Sequence, residues 1–245
     1  MKPIGFSTGA LAKGDFATGS AVQRDVPRID AVELSALRDH ELPLLIAAIP
    51  SLDLDRFEYV SFHAPSKLQT LDERAVFELL LGLPDSWPVI VHPELLQTPS
   101  LWRQLGERLC LENMDNRKTT GRTIAELHVL FEAFPEATFC LDLGHARQID
   151  PTMVSAMLML QEFGDRLVEL HISEVGPRGE HLPLGATTRQ AFARVVHLVP
   201  ADCPLIIESI IPPELIESEL DAVSALFDAV AALSGVSPAA APSRP

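Results

Sequence analysis

The chain has 245 residues, of which 47% are apolar, and its 34 acidic side chains outnumber its 19 basic ones to give a formal net charge of -15. This composition excludes a disordered or collagen-like chain, and no apolar run approaches the roughly 18 residues that a membrane-spanning helix needs. The negative charge and the scarcity of lysine disfavour nucleic acid as a partner, because phosphates are bound by clustered Lys and Arg.

Short apolar runs rich in β-branched residues predict eight strands. In chain order these are Pro3–Thr8, Ala31–Ser35, Tyr59–His63, Pro88–His92, Leu109–Asn113, Thr138–Asp142, Leu167–His171 and Pro204–Glu208. Longer stretches with apolar residues at helical spacing lie between them, for example Glu73–Leu81 and Thr123–Phe134. The predicted pattern therefore alternates strand and helix along the chain.

Residues that commonly begin or end helices flank these stretches. We expect helices to start at Asp72, Asp150 and either Thr187 or Thr188. We expect glycines to end them at Gly82, Gly164 and Gly235.

One strand with its returning helix takes about 30 residues, so eight such units fit this chain. The strands are too apolar for a half-exposed sheet, which favours an all-parallel sheet covered by helices. We therefore predict an α/β fold, a single (β/α)8 TIM barrel over residues 1–234, followed by a disordered Pro- and Ala-rich tail at 235–245. A doubly wound open sheet is the alternative, but Gly5-Phe-Ser-Thr-Gly9 lacks the spacing of a dinucleotide-binding loop.

Each predicted strand from the second onward carries, at or near its end, a residue that can bind a metal ion. These residues are Glu33, His63, His92, Glu112, Asp142, His171 and Glu208. A barrel gathers the carboxyl ends of its strands at one mouth, so these side chains should converge there. For Glu33 a second role is open, in which it holds Arg38 or a ligand.

Two further histidines, His145 and His181, follow predicted strands, whereas His40, His128 and His197 lie in helical runs and are expected at the surface or in packing. Carboxylates at the ends of buried strands need a compensating charge, which a divalent ion supplies. A mixed histidine and carboxylate set suits Mn²⁺, Zn²⁺ or Fe²⁺ better than Ca²⁺. We therefore expect a divalent transition metal as cofactor.

Six motifs together resemble the xylose isomerase-like TIM-barrel superfamily. They are Phe62-His-Ala-Pro65, Val89-Ile-Val-His-Pro93, Leu111-Glu-Asn113, Cys140-Leu-Asp-Leu-Gly-His-Ala146, Glu169-Leu-His-Ile172 and His181-Leu-Pro-Leu-Gly185. The resemblance runs from about residue 4 to residue 209. This superfamily includes sugar isomerases and epimerases, endonuclease IV, and multinuclear iron enzymes that modify peptides.

The resemblance implies one metal site made of four residues: Glu112, Asp142, His171 and Glu208. It also implies that His63 and His92 hold a second ion, and that His145 and His181 hold a third. The trinuclear members carry Asp-x-His where this chain has Gly179-Glu180-His181, so we expect the third ion to be weak or missing.

As an isomerase or epimerase, the protein would use Glu112 and Glu208 as a proton-exchanging base and acid beside a metal-chelated sugar or hydroxy-ketone. The resemblance implies that His145 hydrogen-bonds a substrate hydroxyl. Side chains that could hold a phosphate or carboxylate are Lys67, Arg117, Lys118, Arg147 and Arg178.

Two other activities use the same ligands. One is an endonuclease IV-like phosphodiesterase with a hydroxide bridging two metals through Glu112, which the acidic composition and the single Tyr disfavour. The other is a multinuclear iron enzyme acting on a peptide, with an open coordination position for O₂. The intact four-residue core disfavours a ligand-binding barrel without catalysis. We place the isomerase or epimerase first because it needs only that core and tolerates Gly179.

The amino terminus lacks the apolar centre of a secretory signal, so we expect a cytoplasmic protein that acts on a small molecule and has no membrane partner. Cys110, Cys140 and Cys203 lie in apolar runs and form no close pair, which favours buried, reduced thiols over disulfides. No sequence pattern indicates an oligomeric state.

Overall fold

The computed structural model describes residues 2–12 and 15–233, and within them eight parallel strands form a closed barrel. Counting two strands outside the barrel, the strands of the described residues are, in chain order, β1 (Ile4–Ser7), β2 (Ala31–Ser35), β3 (Tyr59–His63), β4 (Val89–Val91), β5 (Leu109–Glu112), β6 (Thr138–Asp142), β7 (Leu167–Ile172), β8 (Glu174–Val175), β9 (His181–Leu182) and β10 (Leu205–Ile207). Strands β8 and β9 form a separate antiparallel hairpin. The predicted TIM barrel is confirmed, and the open-sheet alternative is wrong.

Strand β1 closes the barrel by pairing in parallel with both β2 and β10. Gly5 lies at this junction, opposite Ala31 on one side and Ile206 on the other. A Cβ atom at Gly5 would overlap the carbonyl group of Ala31, so the close approach of the two strands requires glycine.

Three predicted strands begin one residue too early, each time at a proline: Pro3, Pro88 and Pro204. Proline has no N–H to donate to a strand ladder, so the regular pairing starts at the following residue. The carbonyl oxygens of Pro88 and Pro204 still accept hydrogen bonds, from the N–H groups of Phe62 and Leu170 at 3.0 Å each.

Helices surround the barrel. They are α1 (Thr8–Ala12), α2 (Phe16–Arg24), α3 (Leu42–Ala48), α4 (Glu73–Leu81), α5 (Pro99–Trp102), α6 (Ile124–Ala133), α7 (Leu143–Ile149), α8 (Val154–Phe163), α9 (Ala186–Phe192) and α10 (Ile216–Leu233). As predicted, Asp72 caps α4 by accepting a hydrogen bond from the N–H of Ala75, and Gly82 ends that helix. Gly164 ends α8, also as predicted.

Two predicted helix starts are wrong. Asp150 lies at the end of α7, and α8 begins only at Val154. The Asp150 carboxylate accepts from the N–H of Thr152, in the intervening turn, and from the N–H of Ser155, in the first turn of α8. Helix α9 begins at Ala186, so Thr187 and Thr188 lie inside its first turn. The predicted stop at Gly235 and the predicted tail at 235–245 fall outside the described residues.

The core lies between the barrel and the helices, and its largest fully buried side chains include Trp102, Phe6, Phe62, Phe139 and Phe192. All three cysteines are buried and free, as predicted. Of the helices that the structure describes, none combines enough length with enough apolar character to cross a bilayer.

Candidate metal centre

The carboxyl ends of the barrel strands surround a cavity of about 650 Å³. Six of the predicted metal ligands line it: His63, His92, Glu112, His145, His181 and Glu208. Asp142 and His171 are fully buried next to these residues. The barrel therefore brings together all eight of the residues predicted to bind metal.

Four of them form a compact group at the floor. Glu112 and Asp142 are the last residues of β5 and β6, His171 lies opposite Asp142 on β7, and Glu208 directly follows β10. Each offers one ligand atom, and these atoms lie within 4.8 Å of one another. Since metal bonds to nitrogen and oxygen are about 2.0–2.4 Å long, ligands on opposite sides of one ion are separated by about this distance.

The hydrogen bonding of this group fits a bound cation. Asp142 uses Oδ1 to cap α7, accepting from the N–H of His145 at 2.6 Å, while its Oδ2 makes no hydrogen bond and lies 3.5 Å from His145 Nδ1. His171 Nδ1 and Glu208 Oε2 are likewise buried without a hydrogen bond. Unpaired buried polar atoms are costly, and one divalent ion would satisfy all three. These residues could therefore hold a metal ion.

A second group shares Glu112. Its Oε2 lies 3.3 Å from His63 Nε2 and 3.0 Å from His92 Nε2, while its Oε1 lies 3.5 Å from His171 Nδ1. One ligand atom from each of His63, His92 and Glu112 lies within 4.8 Å of the others, so these three residues could also hold an ion. Glu112 is thus placed between two potential ion positions, with one oxygen facing each.

His145 and His181 lie next to each other, with ring centroids 5.7 Å apart. His145 Nδ1 is 3.2 Å from Glu112 Oε1, and His181 Nδ1 is 3.3 Å from Glu208 Oε2. Within the described residues neither histidine belongs to a compact set of three ligands. The expectation of a weak or missing third ion stays a prediction.

The chain's departure from the trinuclear pattern has a local consequence. Gly179 has φ 78°, a left-handed conformation that favours glycine, and a Cβ atom there would overlap the guanidinium of Arg117. Arg117 Nη1 donates to the carbonyl oxygen of Arg178 at 2.9 Å, and the same guanidinium pairs with Asp115. A fixed positive charge therefore lies against the segment that would supply the missing carboxylate.

Five buried carboxylates surround the floor: Glu33, Glu112, Asp142, Glu169 and Glu208. Such a concentration of buried negative charge needs cations, whether protons or metal ions, to compensate it.

The same negative charge shifts the titration of the ligands. Burial opposes the charged form of His63, but Glu33 and Glu112 outweigh it and raise the pKa of His63 to about 9. Burial is likewise outweighed at His145, where Asp142 and Glu112 raise the pKa to about 10. Burial raises the pKa of Glu208 to about 8 despite the opposing charge of His171. A metal ion would therefore displace protons from this centre on binding.

The far side of His171 contacts two carboxylates. His171 Nε2 lies 2.7 Å from Glu169 Oε1 and 3.1 Å from Glu33 Oε2, and both glutamates are fully buried. A proton on Nε2 donated to Glu169 leaves Nδ1 free to bind a metal, which is how carboxylates orient metal-binding histidines. Glu33 does not hold Arg38, which pairs with Glu41 at 2.6 Å.

The sequence motif Glu169-Leu-His-Ile172 contains Glu169, but the sequence analysis assigned this glutamate no role, although its spacing was a signal. Residues two apart on a strand face the same side, so a glutamate two positions before a ligand histidine shares its face. Asn113 was also missed as a structural residue. Its Nδ2 donates to the Asp142 carbonyl at 3.0 Å and its Oδ1 accepts from the Asp142 N–H at 2.7 Å, which locks the end of β5 to the end of β6.

The residues predicted to bind a substrate anion divide into two sets. Lys67, Arg117 and Lys118 line the cavity. Arg147, on α7, is half-buried and does not line it, and Arg178 is exposed and pairs with Glu180 at 3.3 Å. His40, His128 and His197 are exposed and lie outside the cavity, as expected.

A scan against protein-family models finds no match to this chain, and a search of curated proteins finds none. The chemistry of the chain's own centre therefore carries the functional inference.

Proposed function

We propose that this barrel is a divalent-metal-dependent isomerase or epimerase of the xylose isomerase-like superfamily. Its substrate is a small sugar, sugar phosphate or hydroxy-ketone. The observation that carries the proposal is the pair of carboxylates at the cavity floor: Glu112 Oε1 and Glu208 Oε1 lie 3.5 Å and 3.6 Å from the same atom, His171 Nδ1. Two carboxylates beside one metal position are what proton transfer on a chelated hydroxy-ketone requires.

Glu112, Asp142, His171 and Glu208 would hold the ion, and a bound Mn²⁺, Zn²⁺ or Fe²⁺ supplies Lewis acidity towards the carbonyl and adjacent hydroxyl of the substrate. Glu112 and Glu208 both line the cavity, and two strands, β6 and β7, separate the strands that carry them. One carboxylate removes a proton from a substrate carbon. The other returns a proton to the neighbouring carbon in an isomerisation, or to the opposite face of the same carbon in an epimerisation. His145, which also lines the cavity, hydrogen-bonds a substrate hydroxyl.

One observation favours a second candidate, an endonuclease IV-like phosphodiesterase. The group formed by His63, His92 and Glu112 places a potential second ion beside the first, as two-metal hydrolysis requires. The net charge of -15 opposes a DNA substrate, which keeps this candidate second.

Deuterium exchange separates the two candidates. The Mn²⁺-loaded protein is incubated in D₂O with ketoses and ketose phosphates of three to six carbons, and beside them with an abasic-site DNA duplex. The proposal predicts deuterium at a substrate carbon, and loss of that signal in Glu208→Gln. Glu162→Gln, at an exposed glutamate that lies outside the cavity, serves as the matched control and should exchange as the wild type does. DNA cleavage without deuterium uptake would contradict the proposal and favour the phosphodiesterase, and inactivity on both panels would favour the iron enzyme acting on peptides.

A further inference from the structure

Four cationic side chains line the cavity above the metal centre: Arg38, Lys67, Arg117 and Lys118. Three of them already have a carboxylate partner. Arg38 pairs with Glu41 at 2.6 Å, Lys118 pairs with Glu94 at 2.9 Å, and Arg117 pairs with Asp115.

Lys67 differs from the other three. Among the described residues no carboxylate lies within ion-pair distance of its ammonium group, and the side chain is exposed to the cavity. Residues 1, 13–14 and 234–245, which the structure does not describe, include no Asp or Glu that could pair with Lys67. Lys67 is therefore an uncompensated positive charge on the wall of a cavity whose floor is acidic.

The loop that carries Lys67 is held in place. Asp39, which is fully buried, accepts hydrogen bonds through Oδ2 from the N–H groups of Gln69, Thr70 and Leu71 at 2.6, 2.6 and 2.8 Å. Three charge-assisted bonds to consecutive backbone groups restrict the segment between β3 and α4. Because this anchored backbone begins two residues after Lys67, the fold restricts where the lysine side chain can reach, which lowers the entropy cost of binding.

Resting on the proposed function, we propose that the substrate carries an anionic group, a phosphate or a carboxylate, at the end remote from the metal centre, and that Lys67 binds it. Ser66, which precedes Lys67 and also lines the cavity, offers a hydroxyl to the same group. The cavity of about 650 Å³ lies within the usual range for small-molecule sites and accommodates a ligand that reaches from the floor to the wall. Asp39 is a positioning residue that acts through the loop.

Binding to three related ligands tests this. Fructose, fructose 6-phosphate and fructuronate share a hydroxy-ketone end and carry a hydroxyl, a phosphate or a carboxylate at the other end. Calorimetry with the Mn²⁺-loaded full chain should show at least one anionic ligand binding about tenfold more tightly than fructose, the size of one charge-assisted contact. Whichever of the two anions binds more tightly identifies the group.

Lys67→Ala should abolish the preference for the anion and leave the affinity for fructose unchanged, whereas Lys67→Arg should retain most of it. Asp39→Asn should reduce the ratio of anion to fructose affinity, which a merely stabilising residue would not change. The control is Arg74→Ala, which removes the same charge from an exposed position on α4 that lies outside the cavity.

Equal affinity of the wild type for fructose and both anions would overturn the inference, as would a preference that survives in Lys67→Ala or is lost equally in Arg74→Ala. Anion preference without deuterium exchange would contradict the proposed reaction and leave the Lys67 site standing. Deuterium exchange without anion preference would contradict the Lys67 site and leave the proposed reaction standing. Failure of all three ligands to bind a protein that retains Mn²⁺ would contradict both proposals.

Discussion

Glu169→Gln tests how the barrel orients its metal-binding histidine. The change keeps the size of the side chain and removes the negative charge that faces His171 Nε2 at 2.7 Å. An amide can also present its NH₂ group to Nε2, which would favour the wrong tautomer and place the proton on Nδ1. We expect metal affinity to fall because the orienting carboxylate is lost.

The size of the effect follows from the neighbouring carboxylate. Loss of such an orienting partner typically weakens metal binding by about 10- to 100-fold, or about 1.4–2.7 kcal/mol. Glu33 Oε2 lies 3.1 Å from the same nitrogen and can take over part of the role, so about tenfold is expected for Glu169→Gln. Replacing both glutamates by Gln should cost about 100-fold, because no carboxylate then faces His171 Nε2.

Competition with a chelator of known Zn²⁺ affinity measures the loss, and circular dichroism checks the fold. Glu162→Gln, an exposed change on α8, is the matched control and should bind Zn²⁺ like the wild type. Wild-type affinity in the double variant, with the fold intact, would refute the assignment of Nδ1 as the ligand atom.

Three further outcomes are expected. Replacing both His63 and His92 by Ala should reduce the number of bound ions by one, as counted by elemental analysis, and leave the ion at His171. Loss of every ion would contradict the division of the ligands into two separate metal-binding groups. Metal affinity should fall as pH drops from about 8 to 6, because the raised pKa values of His63, His145 and Glu208 mean that bound protons must be displaced, and titrations at three pH values would reveal a flat profile if this is wrong. Gly179→Ala should lower stability by about 1–2 kcal/mol, since alanine disfavours φ 78° and would displace the adjacent guanidinium; an unchanged denaturation midpoint would contradict this.

The barrel could be predicted because its strands are short, apolar on both faces and separated by amphipathic helices. β2, β3 and β6 have the predicted bounds, and the errors at the starts of β1, β4 and β10 arise from prolines that cannot donate to a ladder. The helix starts were less accurate, because Asp150 and the threonines before Arg189 can satisfy backbone groups in turns as well as in caps.

The ligand residues could be predicted because barrel topology alone brings the carboxyl ends of strands together. The supporting residues could not, since their roles depend on contacts across the sheet. Asn113 reaches Asp142 on the next strand, and Arg117 reaches a loop 61 residues away in the chain. The cavity wall likewise depends on tertiary packing, which brings Lys67 to it and leaves Arg147 outside.

Crystals of the Zn²⁺-loaded protein, with anomalous diffraction measured at the zinc edge, test most directly whether the cavity floor is a metal centre. We predict an anomalous peak bound by Glu112, Asp142, His171 Nδ1 and Glu208, each within about 2.0–2.4 Å. A peak instead at a third group with ligand geometry, formed by Cys140, Glu169 and His171, or no peak within the barrel mouth, would contradict the account.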